Sequence, residues 1–329
     1  MKQRAYGAGG PMVSAIGYGA MSFADFYGPA TEEGSMAILD ACVELGITHL
    51  DTSNVYGMGR SETWIGKWLK ARGGEPPFRI ATKGGITRNT DRRFNNDPEH
   101  LQTELEGSLK RLGVECVDLY YVHRRDRAHE IEDVTETLAG LVRAGKCKAV
   151  GFSEIAPSSL RRAQAVHPIA AVQSEYSLAT RAPELGLVQA CGETGTALVA
   201  FSSVGRGLLT DRPHQPDAIE HMPFMKTNPR FTGRNLVANL EYVDRFRRLA
   251  AEMGVAAATL ANAWVLHRGE HILAIPGTRS VAHLKECAAA GSLDLSADDM
   301  ARIEAVLPVG WCHGDRYNTV QWEGPERYC

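Results

Sequence analysis

One unit recurs along this chain and limits what it can fold into. An amphipathic helical stretch ends at a glycine, and a short run rich in β-branched residues follows and closes on a polar residue. Eight such runs are predicted as strands: 15–19, 47–51, 79–83, 117–123, 148–153, 169–173, 197–201 and 272–276. Strands that alternate with helices require a parallel sheet with right-handed crossovers. Eight units in 329 residues fit an α/β fold of the (β/α)8 TIM-barrel type better than an open sheet. An open doubly wound sheet would want a glycine-rich turn after its first strand. The one candidate, Gly7-Ala8-Gly9-Gly10-Pro11, precedes the first strand and leads into no helix, so it reads as the turn of an N-terminal β-hairpin. No Pro/Ser-rich linker divides the chain, and residues 1–329 are expected to form a single barrel domain.

The helices carry their own punctuation. Asp97 stands where an N-cap is wanted and Pro98 suits the first helical position. Leu101, Leu105, Leu109 and Leu112 then recur at helical spacing before Gly113. Thr31 is the expected cap of the helix bearing Ile38, Ala41, Cys42 and Leu45, which stops at Gly46. A later helix carries Val134, Leu138, Leu141 and Val142 and stops at Gly145. Two segments break the rhythm. Residues 208–234 contain four prolines and no sustained period, and a loop of that length in a compact domain is usually functional or disordered. The C-terminal tail, 307–329, carries Trp311, Tyr317, Trp322 and Tyr328, too aromatic for a solvated end. It is expected to pack over the barrel mouth.

Bulk properties exclude several classes. Hydrophobic residues make up 44% and charged residues 23%, as in ordinary soluble domains. A formal net charge of -3 offers no reason to expect nucleic acid or an anionic membrane as partner. Seven scattered cysteines without a CxxC pair suit reduced thiols in a cytosol. The first residues hold no apolar signal core, and Val255–Leu266 falls short of the ~20 residues of a membrane span. A cytoplasmic protein is expected, as a monomer or weak homo-oligomer. The eleven histidines show no metal-ligand spacing with Cys, Asp or Glu, so no metal is expected.

Four residues point to chemistry. Asp51, Lys83 and His123 close three successive predicted strands, and Tyr56 follows the first in the turn Asn54-Val55-Tyr56-Gly57. In a parallel barrel these ends open on one face, so the four side chains can converge. Reducing a carbonyl needs a hydride at carbon and a proton at oxygen. A free tyrosine, with a pKa of ~10, is a poor proton partner near neutrality. A nearby ammonium is expected to lower that value, and a carboxylate to keep the ammonium charged. His123 could then orient the substrate oxygen. Each residue alone has a plain structural reading, as a strand-end acid, a turn tyrosine or a packed histidine; the ordered set is what favours a site.

The segments His49-Leu50-Asp51-Thr52-Ser53-Asn54-Val55-Tyr56-Gly57, Ala81-Thr82-Lys83 and Asp118-Leu119-Tyr120-Tyr121-Val122-His123 resemble the signature segments of the aldo-keto reductases. The likeness runs in order over roughly residues 5 to 305, through Gly17–Met21, Gly151–Glu154, Val172–Ser177, Phe201–Gly207 and Ile275–Arg279. It implies a barrel that binds a nicotinamide dinucleotide without a Rossmann domain. Tyr56 would be the general acid, Lys83 and Asp51 its tuning pair, and His123 the orienting group. Ser153, Glu154 and Gln173 match positions that hold the nicotinamide carboxamide, although Asn is commoner where Glu154 stands. Phe201 matches the residue that stacks on the nicotinamide. Ser202, Ser203, Gly205 and Gly207 match the loop around the pyrophosphate, with Ser203 where Pro is usual. Gly19, Ala20 and Met21 fall in the matching first-strand segment, and Gly277 and Thr278 lead to the adenosine end. Arg279, His283, Glu286 and Cys287 match the surroundings of the adenosine and its 2′-phosphate, where Arg suits a phosphate and a helix N-terminus favours anions. His283 and Cys287 depart from the commoner Arg/Gln and Asn.

The resemblance thus implies an NADP-dependent oxidoreductase, using NADPH in preference to NAD, that interconverts small aldehydes or ketones with alcohols. The pocket would be capped by residues 208–234 and the tail. Phe23, Phe26 and Tyr27 would be part lining, part packing. Arg124-Arg125-Asp126-Arg127 reads most simply as a solvated loop with internal ion pairs, and otherwise as a rim favouring anionic substrates. The rival class is a cofactor-binding regulatory protein resembling the potassium-channel beta subunits, which would bind the dinucleotide without turning over a carbonyl compound.

Overall fold

The computed structural model describes residues 1–87 and 93–328; Cys329, the end of the predicted tail, lies outside them. A two-stranded antiparallel hairpin, β1 (Gln3–Ala5) and β2 (Met12–Ser14), comes first, turned by Gly7–Pro11 as expected. Eight parallel strands then follow in chain order: β3 (Tyr18–Gly19), β4 (His49–Asp51), β5 (Arg79–Gly84), β6 (Val117–Val122), β7 (Cys147–Ser153), β8 (Ala171–Glu175), β9 (Ala197–Phe201) and β10 (Ile272–Ala274). Each pairs with its predecessor, and a parallel bridge between Ile16 and Ala274 joins the last to the first. Gly17 donates to the Ala274 carbonyl at 2.8 Å and Ala274 to the Ala15 carbonyl at 3.0 Å, so the (β/α)8 ring closes without a free edge. β10 ends before Pro276, which has no N–H for the ladder. β8 runs two residues beyond its predicted end, to Glu175.

Two apolar layers hold the ring. Inside it, Leu119, Tyr121, Ala171, Val199, Leu273 and Ile275 meet Tyr6 and Val13 of the hairpin, which therefore plugs the floor of the barrel. Arg4 seals that floor by donating to the carbonyls of Leu266 and Gly269, both at 2.8 Å, and to that of Ile272. Outside it, the helices lay their apolar faces on the strands. Leu101, Leu105 and Leu112 are buried in the helix Pro98–Leu112, which ends on Gly113 in the left-handed region. Asp97 holds the N-cap position, its carbonyl accepting from the Leu101 N–H at 3.0 Å but its side chain making no cap bond; its carboxylate lies 2.8 Å from His129. Thr31 does cap the helix Glu32–Glu44, through the Gly34 N–H. The apolar stretch near residue 260 is the helix Ala257–Leu266, buried along its whole length. Among the described residues no single helix is long and apolar enough to cross a membrane, and the six described cysteines are unpaired.

Strand packing leaves one position little choice. A Cβ on Gly151 of β7 would lie 2.4 Å from the Ala171 carbonyl oxygen and 2.7 Å from the Tyr121 ring. Gly151→Ala should therefore force β7 and β8 apart and cost about 1–3 kcal/mol. A urea midpoint equal to that of the unsubstituted protein would show that the barrel absorbs the methyl without strain.

Candidate active site

The register of the first strands brings the predicted set together. Asp51 pairs with Gly19 on one side and Ala81 on the other, and Lys83 lies beside Tyr121 on β6. Their side chains project into the C-terminal mouth of the barrel. The Lys83 ammonium is fully buried and donates to Asp51 Oδ1, to the Thr52 carbonyl at 2.8 Å and to the Tyr56 hydroxyl at 3.2 Å. Asp51 Oδ2 accepts from Gln173 Nε2 at 2.7 Å, so both carboxylate oxygens are engaged. His123 stands edge-on to Tyr56 with ring centroids 5.7 Å apart, and its Nδ1 is 3.0 Å from Ser53 Oγ.

Electrostatics refine the expected roles. Burial raises the Tyr56 phenol above its ordinary value, and Lys83 offsets this only in part. The expectation that the ammonium would lower the phenol is therefore corrected: desolvation of the phenolate outweighs one nearby cation. Burial opposes the charge on Lys83, but Asp51 and Tyr56 overcome it and hold the ammonium above its ordinary value. Burial also raises the Asp51 carboxyl, against Lys83 and Gln173. Burial, then Lys83 and Arg124, drive His123 well below the usual imidazole range, so its ring is neutral at pH 7. A neutral imidazole and a protonated phenol, fed by a buried ammonium, can together hand a proton to an oxygen set against them.

Tyr56, Asp51 and His123 open into a cavity of about 1040 Å³. It is also lined by Gly19, Met21, Ser153, Gln173, Phe201, Ser202, Ser203 and Gly207, and toward its far end by Gly277, Thr278, Arg279, His283, Glu286 and Cys287. Three residues of the expected cofactor set do not reach it. Ala20 is fully buried, with its carbonyl accepting from Ser61. Gly205 lies inside the loop turn, where its N–H donates to Ser202. Glu154 turns away altogether: its carboxylate forms an ion pair with Arg316 of the tail and accepts from the Glu175 N–H at 2.8 Å. Arg279 reaches the rim but spends its guanidinium on the carbonyls of Tyr27 and Pro29, at 2.5 and 2.6 Å. Ser203 is buried and donates to Asn262 at 2.7 Å, which fixes the loop that a proline ring would otherwise stiffen.

Both irregular segments contribute to the cavity wall and form a cover over it. Thr210, Arg212, His214 and Phe224 line the cavity from the long loop, and Tyr317, Gln321 and Gly324 from the tail. What locks it was not legible in the sequence. Glu175, at the end of β8, is fully buried and forms an ion pair with Arg206; Arg230 lies 3.3 Å away and Arg316 3.8 Å. Arg316 adds Glu154, with one contact at 3.0 Å, and its carbonyl accepts from Arg206 at 2.9 Å and Asn228 at 2.7 Å. Three arginines on loop and tail thus converge on two carboxylates from strand ends. Glu154, Ser202 and Arg206 all hold positive φ, at 60°, 53° and 57°, a strained conformation that the surrounding bonds sustain. Glu175 fell within a segment of family likeness, but nothing in the spacing tied it to residues 206, 230 and 316.

Comparison with known proteins agrees with this geometry. The model of the Aldo/keto reductase family matches residues 15–308. The chain is 38% identical over 315 residues to aldo-keto reductase yakc [NADP(+)] of Schizosaccharomyces pombe, covering 94% of this chain and 93% of that protein. It is 37% identical over 317 residues to aldo-keto reductase str7 of Strobilurus tenacellus, with the same coverage of 94% and 93%. Among solved structures, the glycerol dehydrogenase AKR11B4 of Gluconobacter oxydans shares the fold with a TM-score of 0.79 at 24% identity, over 90% of this chain and 92% of that one. The thermostable aldo-keto reductase Tm1743 superposes with a TM-score of 0.73 at 25% identity, over 93% and 100%. A closed eight-stranded barrel, a Tyr–Lys–Asp–His mouth and a family match across nearly the whole length lead to one assignment: this chain belongs to the aldo/keto reductase family.

Proposed function

We propose that this protein is an NADPH-dependent oxidoreductase that interconverts small aldehydes or ketones with alcohols. One observation carries the reading: a Tyr56 hydroxyl 3.2 Å from a buried, carboxylate-paired ammonium, facing a cavity large enough for a dinucleotide and a small carbonyl compound together. The residues present fit such a cofactor. Gly207, at φ 93°, holds a backbone conformation that side chains rarely adopt, and a glycine backbone of this kind suits close approach of a pyrophosphate. The helix Val281–Ala289 points its N-terminus at the cavity through Ser280 and His283, which favours a phosphate. Ser153 and Gln173 would hold the carboxamide, Phe201 would face the nicotinamide ring, and Arg279 and His283 would meet the 2′-phosphate. The relative's NADP(+) designation supports the choice of cofactor.

Bound NADPH would supply the hydride to the carbonyl carbon. Tyr56 gives its proton to the carbonyl oxygen, and Lys83, held by Asp51, stabilises the phenolate that remains. His123, neutral and set by Ser53, orients the oxygen toward the phenol. In the reverse direction the same phenolate accepts the alcohol proton. Loss of the reduced-nicotinamide absorbance with a panel of reactive aldehydes tests the assignment directly. Tight NADPH binding with no turnover of any carbonyl compound would favour the regulatory class over an enzyme.

A further inference from the structure

The segment 124–127 behaves unlike a solvated loop with internal pairs. Arg125 forms an ion pair with Glu326 at 2.6 Å, and Arg127 donates to the Pro325 carbonyl at 3.4 Å, so both are occupied in holding down the tail. Arg124 turns the other way, into the cavity beside Tyr56 and His123. Its Nη1 donates to the His123 carbonyl at 2.6 Å and to Ser153 Oγ at 3.0 Å. Among the described residues neither Nε nor Nη2 has a partner, and no carboxylate lies within ion-pair distance. Among the described residues, the other cations at this end of the cavity are engaged. Lys83 pairs with Asp51, Arg206 with Glu175, and Arg93 with Glu323 at 2.8 Å. Arg124 is half-buried, and the tail covers its stem: a Cβ on Gly324 would lie 2.9 Å from Arg124 Cδ and 3.0 Å from the Phe94 ring.

The acid whose charge Arg124 feels, Glu154, is already paired with Arg316. A guanidinium with no described carboxylate at ion-pair distance, beneath an apolar cover and one residue from the group that orients the reacting oxygen, calls for an anion. Its free fork matches a carboxylate in shape, and exclusion of water strengthens the attraction. We propose that Arg124 makes this site selective for carbonyl compounds that carry a carboxylate, which pairs with the guanidinium while the carbonyl faces Tyr56 and His123. The proposal rests on the reductase reading above and adds the substrate class. The charge of Arg124 also acts on both Tyr56 and His123, as expected of a group close to the reacting atoms.

The test uses the full chain with NADPH and a matched pair, 4-carboxybenzaldehyde and its methyl ester. The quantity read is the ratio of kcat/KM for the acid to that for the ester, taken within each variant so that a general loss of activity cancels. The unsubstituted protein should favour the acid, with a preference that weakens as salt is added. Arg124→Met should reduce the ratio by roughly 10- to 100-fold, chiefly through KM for the acid, and Arg124→Lys should restore part of it. No preference for the acid, or a ratio unmoved by Arg124→Met, overturns the proposal and leaves the reductase reading standing. If neither aldehyde nor any other carbonyl compound oxidises NADPH, it is the reductase reading that fails, and the proposal with it.

Discussion

Replacing Tyr56 with phenylalanine should lower kcat/KM for carbonyl reduction by roughly 10²- to 10⁴-fold, the range expected when a positioned proton donor is lost. The substitution removes one oxygen atom and little else. Lys83 keeps Asp51 and the Thr52 carbonyl as partners, so the buried ammonium is not stranded. NADPH binding, followed by cofactor fluorescence, should therefore persist while turnover collapses. The pH profile adds a second check. Burial, only partly offset by Lys83, raises the phenol, so the acid form persists through neutrality. Reduction should stay level there and decline only above the ordinary tyrosine value of about 10, while alcohol oxidation should gain over the same alkaline range. Equal kcat/KM in Tyr56→Phe and the unsubstituted protein would remove Tyr56 from the chemistry.

The second large effect concerns stability. Glu175→Gln keeps the shape of the side chain but withdraws the charge shared by Arg206, Arg230 and Arg316. Buried cations left without their counter-ion typically cost about 3–5 kcal/mol, against a total stability of about 5–15 kcal/mol for a folded protein. A strongly lowered urea midpoint is expected, with weaker NADPH binding because Arg206 lines the cavity. Glu323→Gln provides the comparison. Its pair with Arg93 is largely exposed, and such pairs contribute about 0–1 kcal/mol. Equal losses in the two variants would mean that the buried cluster contributes no more than a surface pair. Glu154 gives the cluster an acid limit. Burial would raise its carboxyl, but Arg316 and Arg124 hold it at about 2. Its contribution is complete above the unfolded glutamate value of about 4.3 and fades as the pH falls from there toward about 2.

Local pattern carried the barrel and the heart of its site. Strand and helix periods depend on near neighbours in the chain, and glycine stops such as Gly113 act within a single turn. Parallel strands in chain order then leave Asp51, Lys83 and His123 on one face whatever their separation in sequence. Strand ends moved by one to three residues, as at the start of β3 and before Pro276, because the backbone hydrogen bonds each residue can make set them. Tertiary structure alone decided which charges meet. Glu154 looked like a cofactor ligand until the tail delivered Arg316 to it, 162 residues away, and Arg124 looked like part of a solvated loop until Arg125 and Arg127 were seen to take the tail and leave it facing the cavity. Even the phenol's direction was settled there, since the cost of removing water from Tyr56 depends on everything packed around it. Ion pairs and desolvation are through-space quantities without a period, and no reading along the chain contains them.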